Sequence, residues 1–279
     1  MKYENPQIPE GINTSKENPL TELSTLLIGA LILVLIVSLI LGFGGSWLAG
    51  KLPFSAENKI ASIYDIKQHT DTDKHPELAK YLQDLADKIS KAQNLPAEMK
   101  ITAHYMDSPT VNAFATLGGN LFIYRGLLEL LPNENTLVTL LGHEIAHVKY
   151  RHPIKSLGRG IMVATAMTAI TGSTNSQVLG DAGLLTVLKF SREMEIQSDE
   201  EAMATLQSIY GHLNGGAKLF EIFHDMRSDM DAEEPAELFS THPLDQDRID
   251  NFSSVAQDKG WKETGKITPL PDFFKKSFD

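Results

Sequence analysis

The chain has 279 residues, 42% of them apolar and 22% charged, enough to bury a full core in one domain with appendages and to exclude wholesale disorder. Its formal net charge of −11 would repel a polyanion over most of the surface, so nucleic acid is not an expected partner. There is no cysteine, which excludes disulfides, thiolate metal sites, a cysteine nucleophile and a cysteine-linked lipid anchor; any metal must be held by His, Asp or Glu.

Residues 1–22 read as a polar leader, with Pro6, Pro9, Gly11 and Pro19 and no periodicity. Residues 23–50 carry no charge. At about 1.5 Å per helical residue they suffice to cross the roughly 30 Å hydrocarbon layer, and they are expected to form a retained transmembrane anchor. A cleaved signal peptide would be shorter and would follow a basic leader, whereas here Glu4, Glu10, Glu17 and Glu22 outnumber Lys2 and Lys16. Lys2 and Lys16 before the span are balanced by Lys51 and Lys59 after it, so charge asymmetry assigns no orientation. Trp47 suits either the membrane interface or packing on the domain, and residues 51–75 read as a linker.

A domain is expected over 76–258. Leu78, Tyr81, Leu82, Leu85 and Ile89 recur at helical spacing behind Pro76, a first-turn residue. Residues 100–106 alternate as a strand, and 111–115 with 120–124 flank Gly118-Gly119 as a hairpin. A helix over 134–151 follows, with Asn133 as N-cap. The apolar run 161–170 is too short to span a bilayer and is expected to be a core helix or one leaning on the membrane surface. Helices are predicted from about 183 to 206, from 214 to 226, and from near Pro243 past Arg248. The acidic stretch 225–237 reads as a solvated linker, and residues 259–279 as a C-terminal tail, irregular from Thr268 onward, where Pro269 and Pro271 fall.

His143-Glu144-Ile145-Ala146-His147 falls inside the 134–151 helix. Four residues make one turn, so both imidazoles leave the same face and can bind one Zn2+, while Glu144, one step round, can serve a water as base without binding the metal. Gly142 would let another element approach that turn closely. A third ligand is then needed, and Glu195 is the candidate; Asp199, one turn further on the same helix, can accept from the far nitrogen of a ligand histidine.

These residues resemble the gluzincin metallopeptidases that include the CAAX prenyl endopeptidase, the bacterial membrane protease HtpX and the mitochondrial OMA-type peptidase. The resemblance covers roughly residues 75–255. It is carried by Asn112-Ala113-Phe114-Ala115 with Gly118-Gly119, by 141–148 around the two histidines, by Ser191-Arg192 with Glu195 and Asp199, and by Thr241-His242-Pro243 with Arg248. It implies that His143, His147 and Glu195 bind zinc, that Glu144 activates water, and that Asn112, Ala113, Phe114 and Ala115 receive the substrate as an added strand. It also sets His242 beside the zinc, as a hydrogen bond to the developing oxyanion or as an occupant of the open position. Arg248 is expected to brace its helix through a carboxylate; His69, His75, His104, His152, His212 and His224 have no motif support.

The expected fold is therefore mainly α with a small β-sheet (α+β): a zincin-type metallopeptidase domain behind one N-terminal transmembrane helix. HtpX and the prenyl endopeptidase have several spans, whereas a single anchor before a soluble domain is more similar to the envelope and OMA-type members. The expected function is a zinc-dependent endopeptidase in quality control or processing at the membrane. Its expected partners are unfolded or membrane-associated polypeptides and the lipid bilayer, and its expected location is a bacterial inner membrane with the domain on the periplasmic side. The rival reading is a metal-containing but silent adaptor, in which the base Glu144 would have no purpose.

Overall fold

A computed structural model describes residues 18–63, 70–171, 189–229, 238, 242 and 246–278. The uncharged segment is a single helix, α1 (Pro19–Gly50), started by Pro19 at its first turn and by Asn18, whose side chain accepts from Leu20 N at 3.0 Å. It is apolar on every face, and only 6% of its most apolar window is covered by protein, so by length and composition it can cross a membrane. The helix begins inside the expected leader, of which residues 1–17 lie outside the described residues.

The expected linker 51–75 is corrected by the structure. Helix α2 (Phe54–Ala61) buries Phe54 in the main core, while its buried Glu57 accepts from the Arg151 guanidinium. A 3-10 turn (Thr72–Lys74) is pinned to the first strand, with Asp71 N donating to Tyr105 O at 2.9 Å and Tyr105 N to Thr72 Oγ1 at 3.1 Å. Polar composition marks such a stretch as non-core, but two anchoring side chains are enough to dock it.

Helix α3 (Pro76–Ala92) buries Leu78, Leu82, Leu85 and Ile89 of the stripe read from the sequence, together with Ala86, while Tyr81 is half-buried against the core. The sheet has the order β1-β3-β2: β1 (Thr102–Met106) runs parallel to β3 (Asn120–Tyr124), and β2 (Ala113–Ala115) lies antiparallel on the other side, with Phe114 opposite Phe122. Gly118 and Gly119 make the β2–β3 turn at φ 72° and 77°, where a side chain would be strained. A short α4 (Arg125–Leu128) leads into α5 (Glu134–Lys149), whose cap is Asn133 accepting from Thr136 N at 2.9 Å. Every residue of α5 from Asn135 to Val148 is buried, which makes it the central post of the domain.

After Tyr150 and Arg151 the chain enters α6 (His152–Thr171), which contains the apolar run 161–170. Ile154 and Leu157, ahead of that run, cluster with Ala49, Ala61 and Leu117, and the run itself packs along α1 rather than in the main core. Then come α7 (Arg192–Tyr210), α8 (Ala217–Asp229), α9 (Gln246–Lys259) and α10 (Asp272–Lys276). The predicted start of α7 near 183, residues 230–237 of the acidic stretch, and Pro243 lie outside the described residues; residues 225–229 belong to α8.

The C-terminal tail is also corrected. Glu134 N donates to Thr268 O at 3.0 Å and Thr268 N to Asn135 Oδ1 at 2.9 Å, and Phe274 of α10 is fully buried against Tyr81 and Phe278. Pro269 and Pro271 break periodicity and hide the contribution of that one aromatic side chain. Phe274→Ala is expected to cost about 3–5 kcal/mol, read as a lower denaturant midpoint at unchanged slope.

Candidate metal centre

Helix α5 carries His143 and His147 one turn apart on the face turned to α7, where Glu195 is wholly buried. Gly142 permits the approach of α7 to α5: a β-carbon there would lie 3.4 Å from Ala202 Cα, while Gln93 clamps both helices by donating to Gly142 O at 2.7 Å and to Thr205 Oγ1 at 3.1 Å. The donor atoms converge. His143 Nε2 and His147 Nε2 are 3.0 Å apart, and they lie 3.4 Å and 3.5 Å from the two Glu195 oxygens. His242 adds a fourth donor, with Nδ1 at 3.3 Å from His143 Nε2 and 3.1 Å from Glu195 Oε1. All four offer an atom within 4.8 Å of one another and all four are buried.

This set fits zinc. Four ligands at about 2.0–2.1 Å in a tetrahedron stand about 3.3 Å apart, the spacing found here. Nitrogen and carboxylate oxygen donors with no sulfur are an accepted zinc ligand set. The electrostatics also call for a cation. Burial disfavours charge on His143, but Asp199 and Glu195 outweigh it and raise its pKa to about 10; burial likewise works against the Glu195 carboxylate, yet His242 and His143 hold its pKa well below the usual range.

Around the donors a second ring of contacts selects their tautomers. His143 Nδ1 lies 2.8 Å from Asp199 Oδ1, so it donates there, and a metal at the centre would take the place of the proton on Nε2. Arg248 bridges two carboxylates: Nε and Nη2 donate to Asp199 at 2.7 and 2.8 Å, and Nη1 lies 2.9 Å from Glu195 Oε2. The bracing expected of Arg248 thus reaches into the centre itself.

His152 was not legible from the sequence as part of this site. Burial lowers its pKa to about 4, so it is neutral; its Nε2–H donates to Gln197 Oε1 at 3.1 Å, and its Nδ1 accepts from His147 Nδ1 at 3.0 Å. That fixes the lone pair of His147 Nε2 towards the centre. Helical spacing gives no signal for it, because Arg151 turns the chain through φ 63° between the two histidines. His152→Phe is expected to weaken zinc binding about 10- to 100-fold, measured by competition with a chelator.

Glu144 is also buried, and burial pushes its pKa up. Its Oε2 accepts from Ala115 N at 2.8 Å, and its Oε1 is 3.6 Å from His242 Nε2. The stretch Asn112 to Ala115 therefore lies beside this carboxylate: β2 is an edge strand whose outer side pairs with no strand among the described residues, and the buried Asn112 Oδ1 has no hydrogen-bond partner there. A cavity opens on His143, Glu144 and His242, walled by Leu140, Phe220 and Leu238. His104 pairs with Asn120, His75 packs edge-on to Tyr105 and His212 meets Lys266 O, so none of these joins the centre; His69, Thr241 and Pro243 are outside the described residues.

Residues 76–256 match the model of Peptidase family M48. Among relatives, the mitochondrial metalloendopeptidase OMA1 of Schizosaccharomyces pombe is 29% identical over 55% of this chain and 46% of its own length. Metalloprotease YcaL of Escherichia coli is 29% identical over 62% of this chain and 69% of its own. The beta-barrel assembly-enhancing protease of the same organism is 25% identical over 62% and 38%. The chain thus spans less than half the length of the OMA1 and barrel-assembly relatives. With the family match covering most of the chain and the buried donor set lying inside it, the chain belongs to peptidase family M48, a family of zinc metallopeptidases.

Proposed function

We propose that this chain is a zinc-dependent endopeptidase tethered to a membrane by α1, cleaving unfolded or membrane-associated polypeptides in quality control or processing. The observation that carries this reading is Glu144: a buried carboxylate adjacent to the donor set, held by Ala115 N rather than drawn in as a ligand. In this reading His143, His147 and Glu195 hold the zinc, with Asp199 and His152 orienting the imidazoles. Bound zinc supplies a lowered pKa to water and polarisation to a carbonyl. Glu144 takes the proton of the attacking water and passes it to the leaving amine; no covalent acyl-enzyme forms. The substrate lies along β2 as an added strand, a mode that reads main chain and gives broad specificity. Of the two roles open to His242, the approach of its Nδ1 to both His143 and Glu195 favours that of fourth donor, which has to withdraw before a substrate is cut.

We assign the domain to the periplasmic side of a bacterial inner membrane, supported by the single-anchor layout and by bacterial relatives such as YcaL. The test of the function is to reconstitute the full chain in vesicles, add an unfolded protein and identify fragments by mass spectrometry. Internal cleavage that a chelator abolishes and zinc restores is the expected result. Bound zinc without cleavage would sink the peptidase reading in favour of a silent adaptor, and chelator-resistant cleavage would sink the metal's role.

A further inference from the structure

Helix α6 starts next to the metal helix and ends alongside the membrane helix. It runs antiparallel to α1: Lys155 lies by Gly50, Gly158 by Ala49 and Gly45, and Val163 by Gly42. At the crossing the backbones touch. A β-carbon on Gly45 would collide with the Gly158 carbonyl and Met162, and one on Gly158 with Ala49 and the Gly45 carbonyl. Close approach through small residues is how helices associate where lipid removes the hydrophobic drive between them.

The covered stripe of α1 does not stop at this crossing. Val34 and Ser38, half-buried, continue it from Gly42 at helical spacing toward the middle of the span, level with the last turns of α6, where Ala166 is buried. Beyond Arg159 the sequence has no charged residue before Asp181. The twelve residues from Gly160 to Thr171 therefore rise about 18 Å along α1, more than half of the roughly 30 Å hydrocarbon layer. Trp47, with Lys51 Nζ 5.6 Å from its ring, marks the interfacial end of α1, at the depth of the Gly45–Gly158 crossing. The outward residues of α6, Ile161 and Thr165, are exposed beside a helix whose own outward residues, such as Phe43, are bare of protein.

We propose that α6 is a second membrane-inserted element: a partial-span helix that enters the bilayer antiparallel to α1, with lipid hydrocarbon covering its outward face. The proposal rests on α1 being a membrane helix. Because only Tyr150 and Arg151 join α6 to α5, this insertion sets the metal helix at the bilayer surface, where the accessible substrates are chain segments at the membrane interface.

The absence of cysteine makes the test direct. Single variants Thr165→Cys, Ile161→Cys, Leu31→Cys and Lys91→Cys of the full chain are spin-labelled and reconstituted in phosphatidylcholine–phosphatidylglycerol vesicles. Collision with oxygen, which partitions into lipid, is compared with collision with a water-soluble nickel chelate. Positions 165 and 161 are expected to behave as Leu31, with loss of nickel access, and opposite to Lys91 on α3. Nickel access at 161 and 165 with Leu31 in lipid would overturn the inference and leave the anchor standing; nickel access at Leu31 would overturn both. Gly42→Cys with Val163→Cys should also cross-link on oxidation, and failure of that pair to form would overturn the antiparallel docking.

Discussion

Glu144→Gln is expected to slow peptide cleavage by about 1,000-fold or more while leaving zinc content and thermal stability nearly unchanged. The amide keeps the size of the carboxylate, and its oxygen can still accept from Ala115 N, so the link between α5 and β2 survives. What is lost is the capacity to take a proton from water. General-base contributions of about 10²- to 10⁴-fold correspond to roughly 3–5 kcal/mol of barrier. Because Glu144 lies outside the proposed ligands, metal analysis should give the same stoichiometry in both proteins. Cleavage within about tenfold of the wild type would remove Glu144 from the base role, whereas parallel loss of zinc would mean that it belongs to the metal shell.

Arg248→Met should be the most damaging change to stability at the centre. Asp199 is almost wholly buried and Glu195 fully so, and the guanidinium spans both with three nitrogens. Removing one partner of a buried ionic group leaves uncompensated charge and costs about 3–5 kcal/mol. For a domain of this size that is roughly 10 °C in Tm. Zinc affinity should fall as well, since Asp199 then loses the clamp that aims it at His143. Arg248→Lys should rescue little, because one ammonium cannot reproduce a planar fork across two carboxylates. A Tm within about 2 °C of the wild type would show that the bridge contributes nothing.

The sequence by itself determined the elements whose signals are local. The uncharged run makes α1, the Leu78–Ile89 stripe makes α3, Gly118-Gly119 turns β2 into β3, and four-residue spacing aims His143 and His147 at one point, because each depends on backbone period, cap or turn chemistry within a few residues. The second pair, Glu195 with Asp199, was legible for the same reason once a metal demanded another ligand. Tertiary structure alone decided what those faces meet. Arg248 reaches Glu195 as well as Asp199, and His152 turns back on His147 through a left-handed Arg151. Phe54 and Phe274 draw apparent linker and tail into the core, and α6 lies on α1 rather than inside the domain. Periodicity says which side of an element is apolar; it carries no information about which distant segment closes over it, since that depends on the shapes of surfaces far apart in the chain.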